Sequence, residues 1–281
     1  MLVLWIVVLL SVIGVSHSRN IRIDMQIARH HLENAKAKAL AEAGLNRAIM
    51  ELFNKNDATR WPLNGTLREL PFADGNVQVM IRNTAGLVDI NTASQAVLEG
   101  LFSMIEMDER RRMELVDAIL DWRDTDDLRR LNGAEDAEYK LEGLSYGTPD
   151  DRFFSIGELR YVLGMDTGLY NQLAPYITVF SGMNSVNQLY APMELAPLFT
   201  NAVDQMFGDG MMDPAASDEG DGADQGLQNN VLQGNVSKVF HISVWATLQS
   251  GAGAGLEVDV DTTRRGNKHY SIVSWQQSSQ G

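Results

Sequence analysis

The chain begins MLVLWIVVLLSVIGVS, residues 1–16, and the reading of this stretch decides the fold. It is almost wholly apolar, no proline ends it, and the helical pattern runs on through His17, Arg19 and Arg22 to about Phe53. Sixteen residues at a rise of ~1.5 Å make only about 24 Å of helix, a little short of the roughly 30 Å hydrocarbon core of a bilayer. A greasy half-helix fused to an amphipathic half suits a subunit held in a membrane or a filament while a globular head stands outside. A cleaved signal peptide would carry a basic leader and a small-residue cleavage site. Neither is evident, so a retained helix is expected, with Leu2, Leu4, Trp5, Val8, Leu9 and Val12 as its membrane- or filament-facing residues. The missing basic flank reads as a start inside a longer frame.

From residue 22 onward the helix changes character. Ala37, Ala41, Leu45, Ala48 and Leu52 fall on one stripe at helical spacing, with Arg29, Glu33, Lys36 and Arg47 on the wet side. The small residues in the stripe would let a sheet lie close. His30 and His31 are adjacent and so point about 100° apart, which prevents them from sharing a metal. Beyond a loop with Trp61 and Pro62, residues 76–82 alternate as a strand, and 87–205 read as mainly helical, with short helices near 94–105, 109–123, 155–164 and 168–175. Residues 240–248, 256–261 and 269–275 alternate again and form an antiparallel meander, joined by Gly251–Gly255 and by Arg265–Gly266–Asn267. The first and last strands are expected in one sheet against the long helix, with the helical block inserted between them, an α+β arrangement. The segment GLVDIN at 86–91 is echoed by GMNSVN at 182–187, each followed by an L-x-x-L-F pattern, which suggests an internal repeat with each Asn placed before a helix.

Composition excludes several functions. The net charge is −14 and no cysteine is present, so disulfides, thiolate metal sites and a cysteine nucleophile are ruled out. VDINTASQAVLEGLF resembles a helix-hairpin-helix entry, but residues 89–180 hold 19 acids and 9 bases, a balance that would repel phosphate. The GAGAG stretch lacks the strand-then-helix context of a phosphate loop. His241 and His269 have no neighbouring nucleophile pattern, and no catalytic constellation is found. The segment 209–226 carries Asp209, Asp213, Asp218, Glu219, Asp221 and Asp224 without a base and reads as a solvated acidic loop. The densest polar motif is Asp121, Asp124, Asp126 and Asp127 followed by Glu135. Negative charge at a helix C-terminus opposes the helix dipole and needs compensation. Pairing with Arg123, Arg129 and Arg130 would supply it, and so would a Ca²⁺ ion, although the EF-hand spacing is absent.

Taken together, LWIVVLLSVIGVSHSRN, LENAKAKALAEAGLNRAI, GLVDINTAS, AILDWRDTDD, NGAEDAEY, SIGELRYVLGM, LAPYITVFSG and the closing HYSIVSW resemble the K-type minor pseudopilins of the type II secretion system. The resemblance covers nearly the whole chain. It implies a type IV pilin-like fold, a long N-terminal helix on an antiparallel sheet, with a large insertion of two helix-hairpin-helix or SAM-like units. It divides the chain into an apolar helix (1–20), the amphipathic helix and first strands (21–86), the inserted helical domain (87–205), an acidic loop (206–235) and the C-terminal strands (236–281). It implies a non-enzymatic, single-pass inner-membrane subunit with a periplasmic head. Such a subunit caps the pseudopilus tip, with the I- and J-type minor subunits and the major pseudopilin as partners and no nucleic acid. Calcium is known in the family, which adds weight to a bound metal without placing it. The family's basic leader and cleavage glycine do not precede Met1, and the mid-membrane Glu of major pseudopilins is also absent. The rival readings are a membrane-anchored DNA-uptake protein and a secreted calcium-dependent hydrolase.

Overall fold

The computed structural model describes residues 2–56, 58–198 and 236–279. The assignment of an acidic loop to 206–235 therefore lies outside the described residues.

Helix α1 runs unbroken from Leu2 to Leu52. Its C-terminal half buries the expected stripe: Ala37, Ala41 and Ala48 are fully covered and Leu45 nearly so. Gly44 joins them, lying against Val77 and Val244. These small side chains bring the helix axis close to the sheet, so the valines and isoleucines of the strands fill the space that larger helix residues would take. Arg47 and Glu51 pair at 2.5 Å one turn apart, and the Arg47 guanidinium lies 5.2 Å from the Trp61 ring centroid. Toward the N-terminus the described side chains are uncovered: Val3, Leu4, Trp5, Val8 and Leu9 are all exposed. The side chains of Leu2 and Val12 are outside the described set. Among the described residues no helix is long and apolar enough to cross a membrane.

The chain then forms β1 (Arg68–Phe72) and β2 (Gly75–Asn83), an antiparallel pair. A brief strand β3 (Val88–Asp89) opens the helical block, which contains α2 (Gln95–Ser103), α3 (Glu109–Arg123), α4 (Asp136–Leu141), a 3₁₀ turn at 156–161 and α5 (Thr167–Leu173). Strand β4 (Ile177–Thr178) closes it by pairing parallel to β3. The last strands are β5 (Val239–Leu248), β6 (Gly253–Asp261) and β7 (Ser271–Ser279). The sheet order is β1-β2-β5-β6-β7, antiparallel throughout. The helical block thus leaves from β2 and returns to its neighbour β5, interrupting the sequence and not the sheet.

Two apolar cores follow from this layout. One holds Ala41, Leu45, Val79, Ile81, Ile242, Val244 and Val258 between α1 and the sheet. The other lies wholly within 88–198 and holds Phe102, Leu115, Ile119, Trp122, Tyr139, Phe153 and Leu173. The seam where the block departs is pinned by buried polar groups. Asn83 donates from Nδ2 to Ser237 O at 2.8 Å and accepts from the Ala85 and Ser237 amides, while Thr84 Oγ1 lies 2.9 Å from both Ser237 Oγ and Val239 O. Every polar atom brought inside at this point finds a partner, which such burial requires.

Several elements depart from the periodicity reading. The helix expected at 155–164 is a 3₁₀ turn, opened by a Ser155–Glu158 capping box and followed by Gly164 at φ 83°. Helix α4 is one and a half turns long, too short for a period to register in the sequence. Gly253 to Gly255 belong to β6, with Gly255 directly across from Trp245. Asn91 does not cap α2; Ser94 does, accepting from Val97 N at 3.4 Å. Asn91 instead bridges to the Phe153 backbone, accepting from its amide at 2.8 Å and donating to its carbonyl at 2.9 Å. Asn187 makes a local turn with Leu189 N.

Candidate functional site

The acidic motif folds at the exit of α3. Asp121 is completely buried, and its carboxylate accepts from Arg130 Nη1 at 2.6 Å and from the Arg130 amide. Asp124 takes the same guanidinium. Arg130 therefore grips both acids and folds the 124–130 loop back over the helix end. Gly133 passes so close to the Asp121 carboxylate that any side chain there would collide with it. Of the other arginines, Arg129 reaches Glu138 at 3.4 Å on α4. Arg123 pairs with no acid: it donates to the carbonyls of Ile90 at 2.5 Å and Ala93 at 2.7 Å, tying α3 to the turn before α2. Asp117 accepts from both nitrogens of Asn132 at 3.0 Å, which fixes the far end of the loop.

Beneath the loop lies an aromatic stack. Trp122 is nearly parallel to Phe153 (12°, centroids 5.8 Å apart), and Tyr139 leans on Trp122 at 6.0 Å. The Tyr139 hydroxyl accepts from the Leu163 amide at 3.0 Å, and its burial raises its pKa. The DWRDTDD and NGAEDAEY segments are thus joined through their aromatic residues as well as their acids.

The expected metal-site residues divide into two groups. Asp121, Asp124 and Glu135 converge on one region, while Asp126 and Asp127 are exposed, with Asp126 Oδ1 capping the Leu128 amide at 2.9 Å. Glu135 is buried and accepts from Thr148 Oγ1 at 2.8 Å. Burial pushes its carboxyl up to about 7, with the nearby charges of Asp121, Asp150 and Asp124 adding to the effect. Burial raises Asp121 as well, against the hydrogen bonds from Arg130. Asp150, which the spacing analysis did not select, joins the group from a distant turn, at a φ of 52° that Asp tolerates better than most residues. Among the described residues, three carboxylate oxygens are buried without a hydrogen-bond partner: Asp124 Oδ1, Glu135 Oε1 and Asp150 Oδ1. All are hard oxygen donors of the kind Ca²⁺ prefers. Among the described residues no group of three or more acids or histidines is arranged as a preformed metal cage. The donor chemistry accordingly suits a hard cation, while in the present conformations Arg130 neutralises Asp121 and Asp124.

A second acid ties the two ends of the helical block. Asp89 Oδ2 accepts from Gly182 N at 2.7 Å and Ser181 Oγ at 3.1 Å, and burial raises its pKa. The two GxxxxN segments are therefore in contact through Asp89 and through Thr92 Oγ1 on Met183 O at 2.5 Å.

Residues 74–182 match the family model described as type II secretion system (T2SS), protein K. Among curated proteins the chain is similar to the type II secretion system protein K of Klebsiella pneumoniae, 28% identical over 63% of this chain and 60% of that one. It is similar to that of Aeromonas hydrophila at 32% over 38% of each, and to the putative protein K of Escherichia coli K12 at 24% over 64% and 61%. The chain spans about three-fifths or less of the length of these relatives. A chain in the crystal structure of the GspK-GspI-GspJ complex from enterotoxigenic Escherichia coli shares the fold, with TM-score 0.58, 18% identity, and coverage of 92% of this chain and 99% of that one. The two chains thus share one fold, and the family match and the curated relatives make this chain similar to the K proteins of type II secretion systems.

Proposed function

We propose that this protein is a minor pseudopilin that caps the tip of the type II secretion pseudopilus and helps to start its assembly. It acts by shape and not by chemistry. The observation that carries the reading is the second core: a helical body with its own packed interior set between the neighbouring strands β2 and β5. In this reading α1 and the five-stranded sheet form a type IV pilin-like domain, and the described part of the insertion, 87–198, forms two helix-hairpin-helix or SAM-like units, the expected remainder to 205 lying outside the described residues. The exposed run Val3–Leu10 would seat α1 among other apolar helices, in the inner membrane and then in the filament. The bulk of the insertion would prevent further subunits from stacking above it, so the subunit comes first. In the enterotoxigenic Escherichia coli complex, GspK is assembled with GspI and GspJ. By analogy, the I- and J-type pseudopilins would be the partners here, with the major pseudopilin below.

Calcium belongs to the same proposal. Asp124, Glu135 and Asp150, with Asp121 behind them, would hold the ion, which would give the unpartnered oxygens Asp124 Oδ1, Glu135 Oε1 and Asp150 Oδ1 a ligand. Its role would be to lock the 124–150 region and not to take part in a reaction.

The test is co-purification of the full chain with the I- and J-type subunits of its own system, in wild type and in Leu4→Glu plus Leu9→Glu. Stoichiometric recovery with wild type and loss with the variant is expected. Incorporation along the filament, or no association with either subunit, would overturn the reading.

A further inference from the structure

The sheet has a second face that α1 does not cover. Adjacent strands place Arg82, His241, Asp259 and Ser274 in one cross-strand row, and Met80, Ser243, Glu257 and Gln276 in the next. These side chains form the floor of a cleft of about 590 Å³. Its opposite wall belongs to the helical block and is apolar, with Phe154, Ile156, Pro175 and Phe180.

Much of the floor is internally satisfied. His241 Nδ1 lies 2.8 Å from Asp259 Oδ1, and its Nε2 lies 3.3 Å from Ser243 Oγ and 3.6 Å from Glu257 Oε2. The Ser243–His241–Asp259 relay has the order of a hydrolytic triad. However, β5 is a central strand bonded on both sides, so its own amides are engaged in the ladder and are not free to serve as oxyanion donors beside Ser243. The imidazole serves to balance the two carboxylates.

Arg82 is the exception. Its guanidinium makes no hydrogen bond or ion pair among the described residues, and its Nε is buried without a partner. Burial lowers its pKa, opposed in part by the charge of Glu194. The neighbouring turn is shaped around it. Gly65 sits at φ 84°, and a Cβ there would come within 2.5 Å of Arg82 Nη2 and 2.8 Å of Nε. An unpaired half-buried cation is costly, and a ligand anion is the ordinary way to satisfy it.

We propose that this cleft binds a carboxylate carried on an apolar body, with Arg82 taking the carboxylate and Phe154, Ile156 and Phe180 taking the apolar part. Glu257 and Asp259 on the same floor disfavour a small, highly charged anion, and the apolar wall gives an aromatic or aliphatic group a place to lie. The carboxylate could belong to a small organic acid or to the C-terminus of a polypeptide. The proposal is independent of the tip role argued above.

The probes are N-acetyl-phenylalanine, its amide, and the tripeptide Ala-Ala-Phe with a free or amidated C-terminus. Binding to the full chain is followed by titration calorimetry and by the Arg82 Nε–H resonance. The free acids should bind at least about tenfold tighter than their amides, the size expected of a charge-assisted hydrogen bond. In Arg82→Gln the acid–amide difference should vanish while Tm stays equal to wild type or rises, because an unpaired charge has been removed. A tighter tripeptide assigns the source to a chain terminus, and a tighter acetyl amino acid assigns it to a small molecule; either supports the site. Equal binding of acid and amide, no binding of either at millimolar concentration, or a clear fall in Tm for Arg82→Gln would each overturn it.

Discussion

Gly44 gives the sharpest test of how α1 meets the sheet. On a solvent-facing helix position, Gly→Ala stabilises by about 1 kcal/mol through backbone entropy alone. At Gly44 the added Cβ would sit 2.5 Å from Val77 Cγ1 and 3.0 Å from Val244 Cγ1. Carbon atoms prefer about 3.5 Å or more, so roughly 1 Å must be found. Val77 is fully buried and Val244 nearly so, and branched side chains have few alternative rotamers, so the helix has to lift from the strands. Overpacking of this kind costs about 1–3 kcal/mol, which exceeds the propensity gain, and Gly44→Ala should destabilise by about 1 kcal/mol. Val77→Ala alone should cost about 2–3 kcal/mol, through two lost methyl groups and the cavity they leave. In the double variant the new Cβ occupies part of that cavity, so the double should be more stable than the sum of the singles by about 1 kcal/mol or more. Urea unfolding followed by tryptophan fluorescence measures all four corners of the cycle. Additive effects, or a Gly44→Ala variant stabilised by its full propensity gain, would refute the close helix–sheet contact.

Three further outcomes are expected. Arg130→Ala strands the fully buried Asp121 together with Asp124, and because Arg130 is itself 37% exposed the loss should be about 2 kcal/mol, read as a fall in Tm; an unchanged Tm would show that the pair is not needed. Burial lowers the His241 pKa, but the hydrogen bond and charge of Asp259 and the charge of Glu257 prevail over it and over Arg82, leaving the pKa raised. The stabilisation by protonated His241 is therefore complete below about pH 6.5 and fades as pH rises through the higher folded value, so the Tm advantage of wild type over His241→Gln should shrink from pH 6 to pH 9, and a constant difference would contradict this. Calcium at about a hundred times its Kd should stabilise the protein by about 2.7 kcal/mol, in wild type but not in Glu135→Gln plus Asp150→Asn, and a chelator-insensitive Tm in wild type would remove the ion from the account.

Patterns local to one element were legible in the chain. The Ala37–Ala41–Leu45–Ala48 stripe faces the sheet because helical spacing alone places those residues on one side. Alternation from Phe240 to Leu248 likewise determines which residues of β5 are buried. Charge was legible too, since the sign of a surface follows from counting. What the sequence left open depends on pairs far apart along it. Arg82 faces His241 only because β2 and β5 pair in one register across the whole inserted block, and a slip of β2 by one residue would put Arg82 on the opposite face from His241. Asp150 reaches the Glu135 neighbourhood through a turn that no spacing rule describes, and Arg123, which looked like a partner for nearby acids, holds two carbonyls instead. Sequence by itself determined the amphipathic helix, the strand faces and the acidic character, because each is set by neighbours within a few residues. Tertiary structure alone decided which buried charges meet a partner and which are left without one, because that is fixed by contacts between segments the chain keeps apart.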